Sequence, residues 1–533
     1  MNTLIVLFAD KKSNFMFDKL FSSKSAFELS LEWAKRVEKT YGGSICIFTY
    51  PELEQKCQDF TKDFSSACVE CCENWNVQLL FSKMAENAKK LNCNNILFAY
   101  SDQPFLDFAI TQEIVDTHTR FCAEYTFADG YPSGFCPEML DCGATAILSE
   151  LAMQKEEGKS PISKTAVFDF IKSDINSFEV ETVIADDDFK LFRLTFDCSE
   201  KITTIACQHL FEMGLEGKSV LEKSYLAAKN PAILKTVPAF YEIQISAASN
   251  VKSIYLPNEM QNTTWQDSTQ NLFMKLEDFK KLIEKIENFS NSAVVSLCAW
   301  GEALLHPDFC SFVKTVLNHT KLSLVIETDG WNVTEDLCKK IKEFVEPLND
   351  SARDFSRKIP LISWIVRTDA VSADVYGIVN GNSLGVEKAL SAIALLTKYF
   401  PKNTYAQFVR MNENESELES FYRFWSDKNS PSNGNVIIQK FNSFCGTLED
   451  KKSADLSPIE RNPCWHLRRD MTILLDGSVP LCRQCICKNI QGNAFSQNLD
   501  DIWQKFDLEL KNHLCGKYSS LCEKCDEYYT FNF

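Results

Sequence analysis

The sequence predicts an α/β protein built from three units, and three observations lead there. Short apolar runs alternate with helical-period segments along most of the chain, the pattern of parallel strands covered by helices. The length of 533 residues suits three to four domains at roughly 150 residues each. A two-proline stretch at 230–238 and a polar stretch at 446–462 interrupt the alternation, which places units at 1–235, 236–450 and 451–533. Composition agrees: 45% hydrophobic and 24% charged residues are enough for large cores. Phe is abundant at 40, while Gly (18) and Pro (16) are few, which excludes collagen-like, linker-dominated and disordered chains.

In chain order, the first unit is expected to hold strands at 4–9, 45–49, 95–100 and 191–196 and helices at 24–39 and 79–91. The second is expected to hold strands at 240–246, 293–299, 322–327, 361–366, 405–409 and 436–441. Helices at 276–289, 309–318, 334–344 and 386–399 separate them. In the tail, 471–475 followed by Asp476-Gly477 is expected to be the first arm of a hairpin. Its second arm would bring Cys482 beside Cys464.

The net charge of −17 argues against nucleic acid as a partner. Met1–Asp10 lacks a basic start and turns charged after one apolar run, so a first strand is expected, not a signal peptide. No apolar run approaches ~18 residues, so no membrane span is expected. A reducing cytoplasm follows as the expected location, where cysteines stay thiols, ligate metal or do chemistry. Of the 22 cysteines, seven lie in 464–533, where even spreading would place about three.

Those seven carry a metal-site pattern. Cys464, Gly477 and Cys482 precede a Cys522-x-x-Cys525 pair; a CxxC presents two thiolates on one tight turn. Two such halves make a four-thiolate site for zinc or an iron–sulfur cluster, and spacing does not choose between them. Cys482-x-x-Cys485 is a rival pair, Cys487 and Cys515 are left over, and Cys68-x-x-Cys71 is a further CxxC without a partner pair. The six histidines form no ligand spacing, and only His306 and His466 lie near a motif. The run from Pro463-Cys464 through Ile473–Cys482, Gly492-Asn493, Leu499, Ile502-Trp503 and Cys522-x-x-Cys525 resembles the SPASM domain. That domain is the auxiliary-cluster module of many radical S-adenosylmethionine enzymes. Its further cysteines after the CxxC are absent up to Phe533. The resemblance therefore implies one [4Fe–4S] cluster on Cys464, Cys482, Cys522 and Cys525, with zinc as the alternative.

The middle of the chain resembles the radical-SAM partial (β/α) barrel. Trp300-Gly301-Glu302 through Phe309 is similar to the loop that contacts the cofactor's methionine amino group, which implies a cofactor role for Gly301 and Glu302. Glu327–Gly330, Arg367–Ala370, Val375-Tyr376 with Gly381, and Tyr405–Glu413 are similar to later strand ends, where such barrels place ligand groups. After the first strand the family carries CxxxCxxC, and here those positions are Ser249, Ser253 and Leu256. Hydroxyls and a leucine do not replace soft thiolates. Radical generation and S-adenosylmethionine as a cofactor are accordingly not expected.

The first unit resembles sugar-nucleotide cytidylyltransferases of the nucleotidyltransferase (GT-A-type) fold. Ile96–Leu106 presents Asp102 after a buried run, and Phe192–Glu200 is similar to the family's closing segment with Asp197. The resemblance implies that Asp102 and Asp197 hold Mg²⁺, as hard carboxylates suit. Asp129–Gly134 is a turn-rich loop over the same edge. The family's glycine-rich phosphate loop reads Ala9–Leu20 here without any glycine, and Lys19 matches its lysine. Close approach to phosphates is harder without glycine.

Together the three units are similar to the spirochaete spiro-SPASM family. Two readings follow: an iron–sulfur protein whose barrel receives a peptide, protein or small-molecule partner, or a metal-dependent nucleotidyl- or glycosyltransferase using Asp102 and Asp197.

Overall fold

A computed structural model describes residues 2–62, 67–257, 272–348, 360–485 and 488–530. The chain forms two compact units, the first ending at Thr236 and the second beginning at Val237. No helix among the described residues is long and apolar enough to cross a membrane.

The first unit is built on β1 (Thr3–Ala9), β2 (Gly43–Thr49), β3 (Ala67–Cys71), β4 (Asn95–Tyr100), β5 (Tyr125–Asp129), β6 (Glu138–Asp141) and β7 (Val180–Ile184). Their order across the sheet is β3-β2-β1-β4-β6-β5-β7. Only β6 runs antiparallel to its neighbours. Every residue of β1 is buried, as a central strand covered on both faces requires. The helix Ala26–Tyr41 starts at a capping box in which Ser25 and Glu28 satisfy each other's backbone N–H groups. Because β1 and β4 are parallel with Phe8 opposite Tyr100, Asp10 and Asp102 leave the sheet at one edge.

The strand expected at 191–196 is not formed. A 3-10 turn spans Lys190–Phe192, Arg193 is left-handed at φ 47°, and only a Ser133–Thr195 bridge remains. The left-handed residue stops an extended ladder there. The Cys68-x-x-Cys71 pair lies on β3, where residues three apart face opposite sides. It is therefore not half of a thiolate site.

The second unit carries β8 (Phe240–Ile243), β9 (Ala293–Ser296), β10 (Leu322–Thr328), β11 (Ile362–Arg367), β12 (Thr404–Arg410), β13 (Val436–Lys440) and β14 (Asp470–Ile473). The order is β13-β12-β11-β10-β9-β8-β14, every neighbouring pair parallel. Successive strands lie side by side with a helix between most of them, and β13 and β14 are free edges: an open, partial (β/α) barrel. All strand ends point the same way, which collects the loops after β8 to β12 at one mouth.

The tail departs from the expected hairpin. Residues 470–473 pair with β8 inside the barrel sheet, and Met471 and Ile473 are fully buried in its core. The short β15 (Ser478–Pro480) pairs instead with β16 (Ile490–Asn493), antiparallel. Alternation alone does not tell which neighbour a buried strand will choose. Tail residues Trp503, Phe506 and Tyr528 share one apolar core with the barrel's Tyr241, Phe279 and Trp364.

Candidate metal centre

Four segments of the second unit bring thiols together. The turn after β15 supplies Cys482 and Cys485, whose sulfurs lie 3.5 Å apart. The C-terminal segment supplies Cys522 and Cys525, and the loop after β13 supplies Cys445, whose thiol is hydrogen-bonded to Cys525. Cys464 completes the group, with Cys525 and Cys522 as its electrostatic neighbours. The four expected ligands, Cys464, Cys482, Cys522 and Cys525, are thus linked as electrostatic neighbours, and Cys485 is linked to them as well. Cys515 is exposed at the end of the helix Phe506–Leu514 and stands apart. Cys487 lies outside the described residues.

Cys445 was not legible from spacing, because it precedes the tail and belongs to no CxxC. Its signal is conformational: Phe444, Cys445 and Gly446 are successively left-handed, at φ 51°, 58° and 75°. Two non-glycine residues held there cost on the order of 1–3 kcal/mol each. Packing of Phe444 with Ala299, Trp300 and Leu474 holds the bend. The Asn442 amide donates to Gln484 Oε1 at 2.6 Å, tying this loop to the Cys482–Cys485 turn. Arg483 in that turn pairs with Glu242 of β8 at 2.8 Å.

The group favours thiolates at particular sulfurs. Hydrogen bonding from Cys482 lowers the pKa of Cys485, and hydrogen bonding from Cys445 lowers that of Cys525. The Glu527 N–H also donates to the Cys525 sulfur at 3.4 Å. Burial pushes Cys522 up to about 12 and raises Cys464 as well, while hydrogen bonding with Cys485, ahead of burial, raises Cys482. Buried sulfurs of this kind become thiolates when a metal takes the proton's place.

Glu509, His513 and Cys522 also hold ligand atoms within 4.8 Å of one another. His513 Nδ1 accepts the Cys464 N–H at 3.3 Å, which leaves the hydrogen of the neutral ring on Nε2, turned toward Glu509 at 3.4 Å. A protonated nitrogen is not a ligand, so His513 here braces Cys464 with Glu509 nearby. His466 is a second brace, bonded to Asp470 at 2.5 Å and to the Glu527 carbonyl at 3.0 Å.

At the barrel mouth, the three positions expected to have carried cluster cysteines are engaged by the chain's own contacts. Ser249 donates to the Val251 carbonyl at 2.7 Å, Ser253 to Asn380, and Leu256 packs with Tyr255, Val379, Val409, Met411 and Phe441. These three positions do not fit an iron–sulfur cluster: none offers a thiolate, and each side chain already has another partner. Glu302 is fully buried. Its carboxylate accepts from the Leu304 and Asp329 N–H groups, the Thr328 hydroxyl and Arg367, at 3.3, 2.9, 2.8 and 3.3 Å. Burial, reinforced by Asp329, raises its pKa against the pull of Arg367. At Gly301 an added Cβ would meet the Ser246 carbonyl oxygen at 2.1 Å, so the glycine permits close backbone approach between two loops. Tyr255, Glu327, Gln407 and Arg483 line a cavity of about 30 Å³, about one water's worth of space.

In the first unit the structure brings Asp102 and Asp197 together, and it places Lys164 between them. Asp102 accepts from the Ser13 hydroxyl at 2.6 Å. Asp197 accepts from the Ser199 and Thr203 hydroxyls at 2.6 and 2.8 Å. Lys19 is not part of this group: its ammonium pairs with the helix-capping Glu28 at 2.5 Å, and its side chain is half exposed. Lys164 had no sequence signal, because it sits outside every recognised motif.

A protein of Treponema pallidum (strain Nichols), described only as uncharacterized, is 38% identical over 381 residues, which span 69% of this chain and 98% of the relative. The chain belongs to the family of that Treponema protein. No family model matches this member of it. Among solved structures, this chain is similar to BtrN in complex with AdoMet and 2-DOIA. That match has 17% identity, 55% of this chain, 94% of the other and a TM-score of 0.34. It is also similar to anSMEcpe with bound AdoMet, at 14% identity, 54% and 90% coverage and a TM-score of 0.38. A cytidylyltransferase from Leptospira borgpetersenii serovar Hardjo-bovis (strain JB197) matches at 17% identity, 44% and 97% coverage and a TM-score of 0.36.

Proposed function

We propose that this protein is an iron–sulfur protein of the spiro-SPASM kind. The observation that carries the reading is the convergence of Cys445, Cys464, Cys482, Cys485, Cys522 and Cys525 from separate segments of one unit. Cys464, Cys482, Cys522 and Cys525 would hold one [4Fe–4S] cluster, with Cys445 and Cys485 beside it. When bound, such a cluster supplies a one-electron couple or a structural cross-link. The chain's own contribution is to gather the sulfurs, lower the pKa of Cys485 and Cys525, and direct the Glu527 N–H at one of them.

The barrel is read as a scaffold or receiving surface, not a radical generator. Ser249, Ser253 and Leu256 support that reading, as does the commitment of Glu302 to structural donors. A cytoplasmic location and a peptide, protein or small-molecule partner are parts of the same proposal, and the net charge of −17 disfavours nucleic acid. Anaerobic purification followed by visible absorption and EPR spectroscopy tests it. The expected result is a broad charge-transfer band near the blue end of the spectrum that disappears in Cys482→Ser and Cys525→Ser. A colourless, zinc-loaded chain would overturn the cluster. 5′-Deoxyadenosine formed from S-adenosylmethionine above background would overturn the reading of the barrel.

A further inference from the structure

We infer that Lys164 stands in the place of a divalent ion in the first unit, so that this unit takes up no divalent metal and does not run metal-dependent nucleotidyl or glycosyl transfer. The Lys164 ammonium contacts Asp102 directly and lies 3.9 Å from Asp197 Oδ2. It therefore occupies the space between the two carboxylates that a shared Mg²⁺ would need. Both carboxylates are almost fully buried, at 1% and 3% exposure. An unpaired buried carboxylate is costly, and one cation between two of them relieves that cost.

Lys164 is positioned, not draped. The Tyr100 hydroxyl donates to the neighbouring Ser163 carbonyl at 2.5 Å. Pro161 bridges to Asn76, and the Lys164 ammonium sits 4.4 Å above the Tyr100 ring. Burial alone would lower the lysine's pKa, but Asp102 and Asp197 overcome it and hold the side chain charged.

The first loop is closed to phosphate by a separate set of contacts. Four consecutive backbone N–H groups of the loop are already bonded inside the protein: Lys12 to the Asp10 carboxylate, Ser13 to the Asp10 carbonyl, Asn14 to the Ser199 carbonyl and Phe15 to the Cys198 carbonyl, at 3.0, 3.0, 3.2 and 3.1 Å. A loop whose donors turn inward does not form a nest for a triphosphate. The carboxylates and the loop thus agree, and neither observation depends on the cluster of the other unit.

Titrating the full-length protein with Mn²⁺ and reading free Mn²⁺ by EPR tests the inference. Wild type and Asp102→Asn should bind the same amount of Mn²⁺ up to millimolar concentrations. Lys164→Met should gain one further site that disappears again in Lys164→Met/Asp102→Asn. Wild type binding one more Mn²⁺ than Asp102→Asn would overturn the inference, and so would a folded Lys164→Met that gains no site. Circular dichroism checks folding. If Lys164→Met fails to fold, the comparison of wild type with Asp102→Asn decides alone.

Discussion

Glu302→Ala tests whether the Gly301-Glu302 loop serves the fold or a ligand. The carboxylate is fully buried and receives two backbone N–H groups, one hydroxyl and one guanidinium. Removing one partner of a buried charge pair costs about 3–5 kcal/mol, and each buried donor left unmatched about 1–3 kcal/mol. Arg367 keeps Glu327 at 3.9 Å, so the lower end, about 3 kcal/mol, is expected. That is roughly a hundredfold in the folding equilibrium and a fall in Tm of about 6–12 °C. Thermal unfolding followed through tryptophan fluorescence reads it, because Trp300 and Trp364 are buried in the same unit. Glu302→Gln, which keeps the shape and one acceptor, should fall between wild type and Glu302→Ala. A Glu302→Ala protein within about 0.5 kcal/mol of wild type, the range of an ordinary surface change, would refute the structural role. It would return the loop to ligand binding.

Three further outcomes are expected. Gly301→Ala places a methyl 2.1 Å from the Ser246 carbonyl oxygen and should cost about 1–3 kcal/mol, read as a lower urea midpoint; an unchanged midpoint would refute the close approach. His118, bonded to Thr126 at 2.9 Å, is held down to about 4 by burial, against the pull of Asp141. With an unfolded value of about 6.5, the unfolded chain takes up the proton first. Roughly 3 kcal/mol of stability is therefore intact above about pH 6.5 and lost as the pH falls toward 4. His118→Gln should flatten that dependence in urea titrations at pH 7 and 5, and parallel curves would refute it. Cys445→Ala should keep its iron and move the cluster's midpoint potential to more negative values, because a hydrogen bond onto a ligand sulfur stabilises the reduced state. Loss of iron would make Cys445 a ligand instead.

The sequence was most legible where burial and period coincide. The run Asn95–Tyr100 is a strand with the expected ends, and the helix at 386–399 differs by one residue. Both are long apolar patterns whose sheet or core faces cannot be exchanged without exposing them. Residues 471–475 show the limit: their burial was legible, but their partner was not. The choice between β8 and β15 depends on a contact some 230 residues away in the chain, which no local turn signal encodes. The site divides in the same way. Cys464, Cys482, Cys522 and Cys525 follow a spacing pattern, Asp102 follows the end of a strand, and Asp197 follows a motif resemblance whose expected strand does not form. Lys164 and Cys445 act through placement by the fold alone. The loss of cysteines at Ser249, Ser253 and Leu256 was visible at once, whereas the contacts that replaced them, Asn380 for Ser253 and an apolar cluster for Leu256, needed the structure.

Iron and acid-labile sulfide counted on anaerobically purified protein test the central claim most directly. About four of each per chain, falling toward zero in Cys482→Ser and Cys525→Ser and unchanged in Cys515→Ser, is the predicted result. One zinc per chain with no sulfide would contradict it.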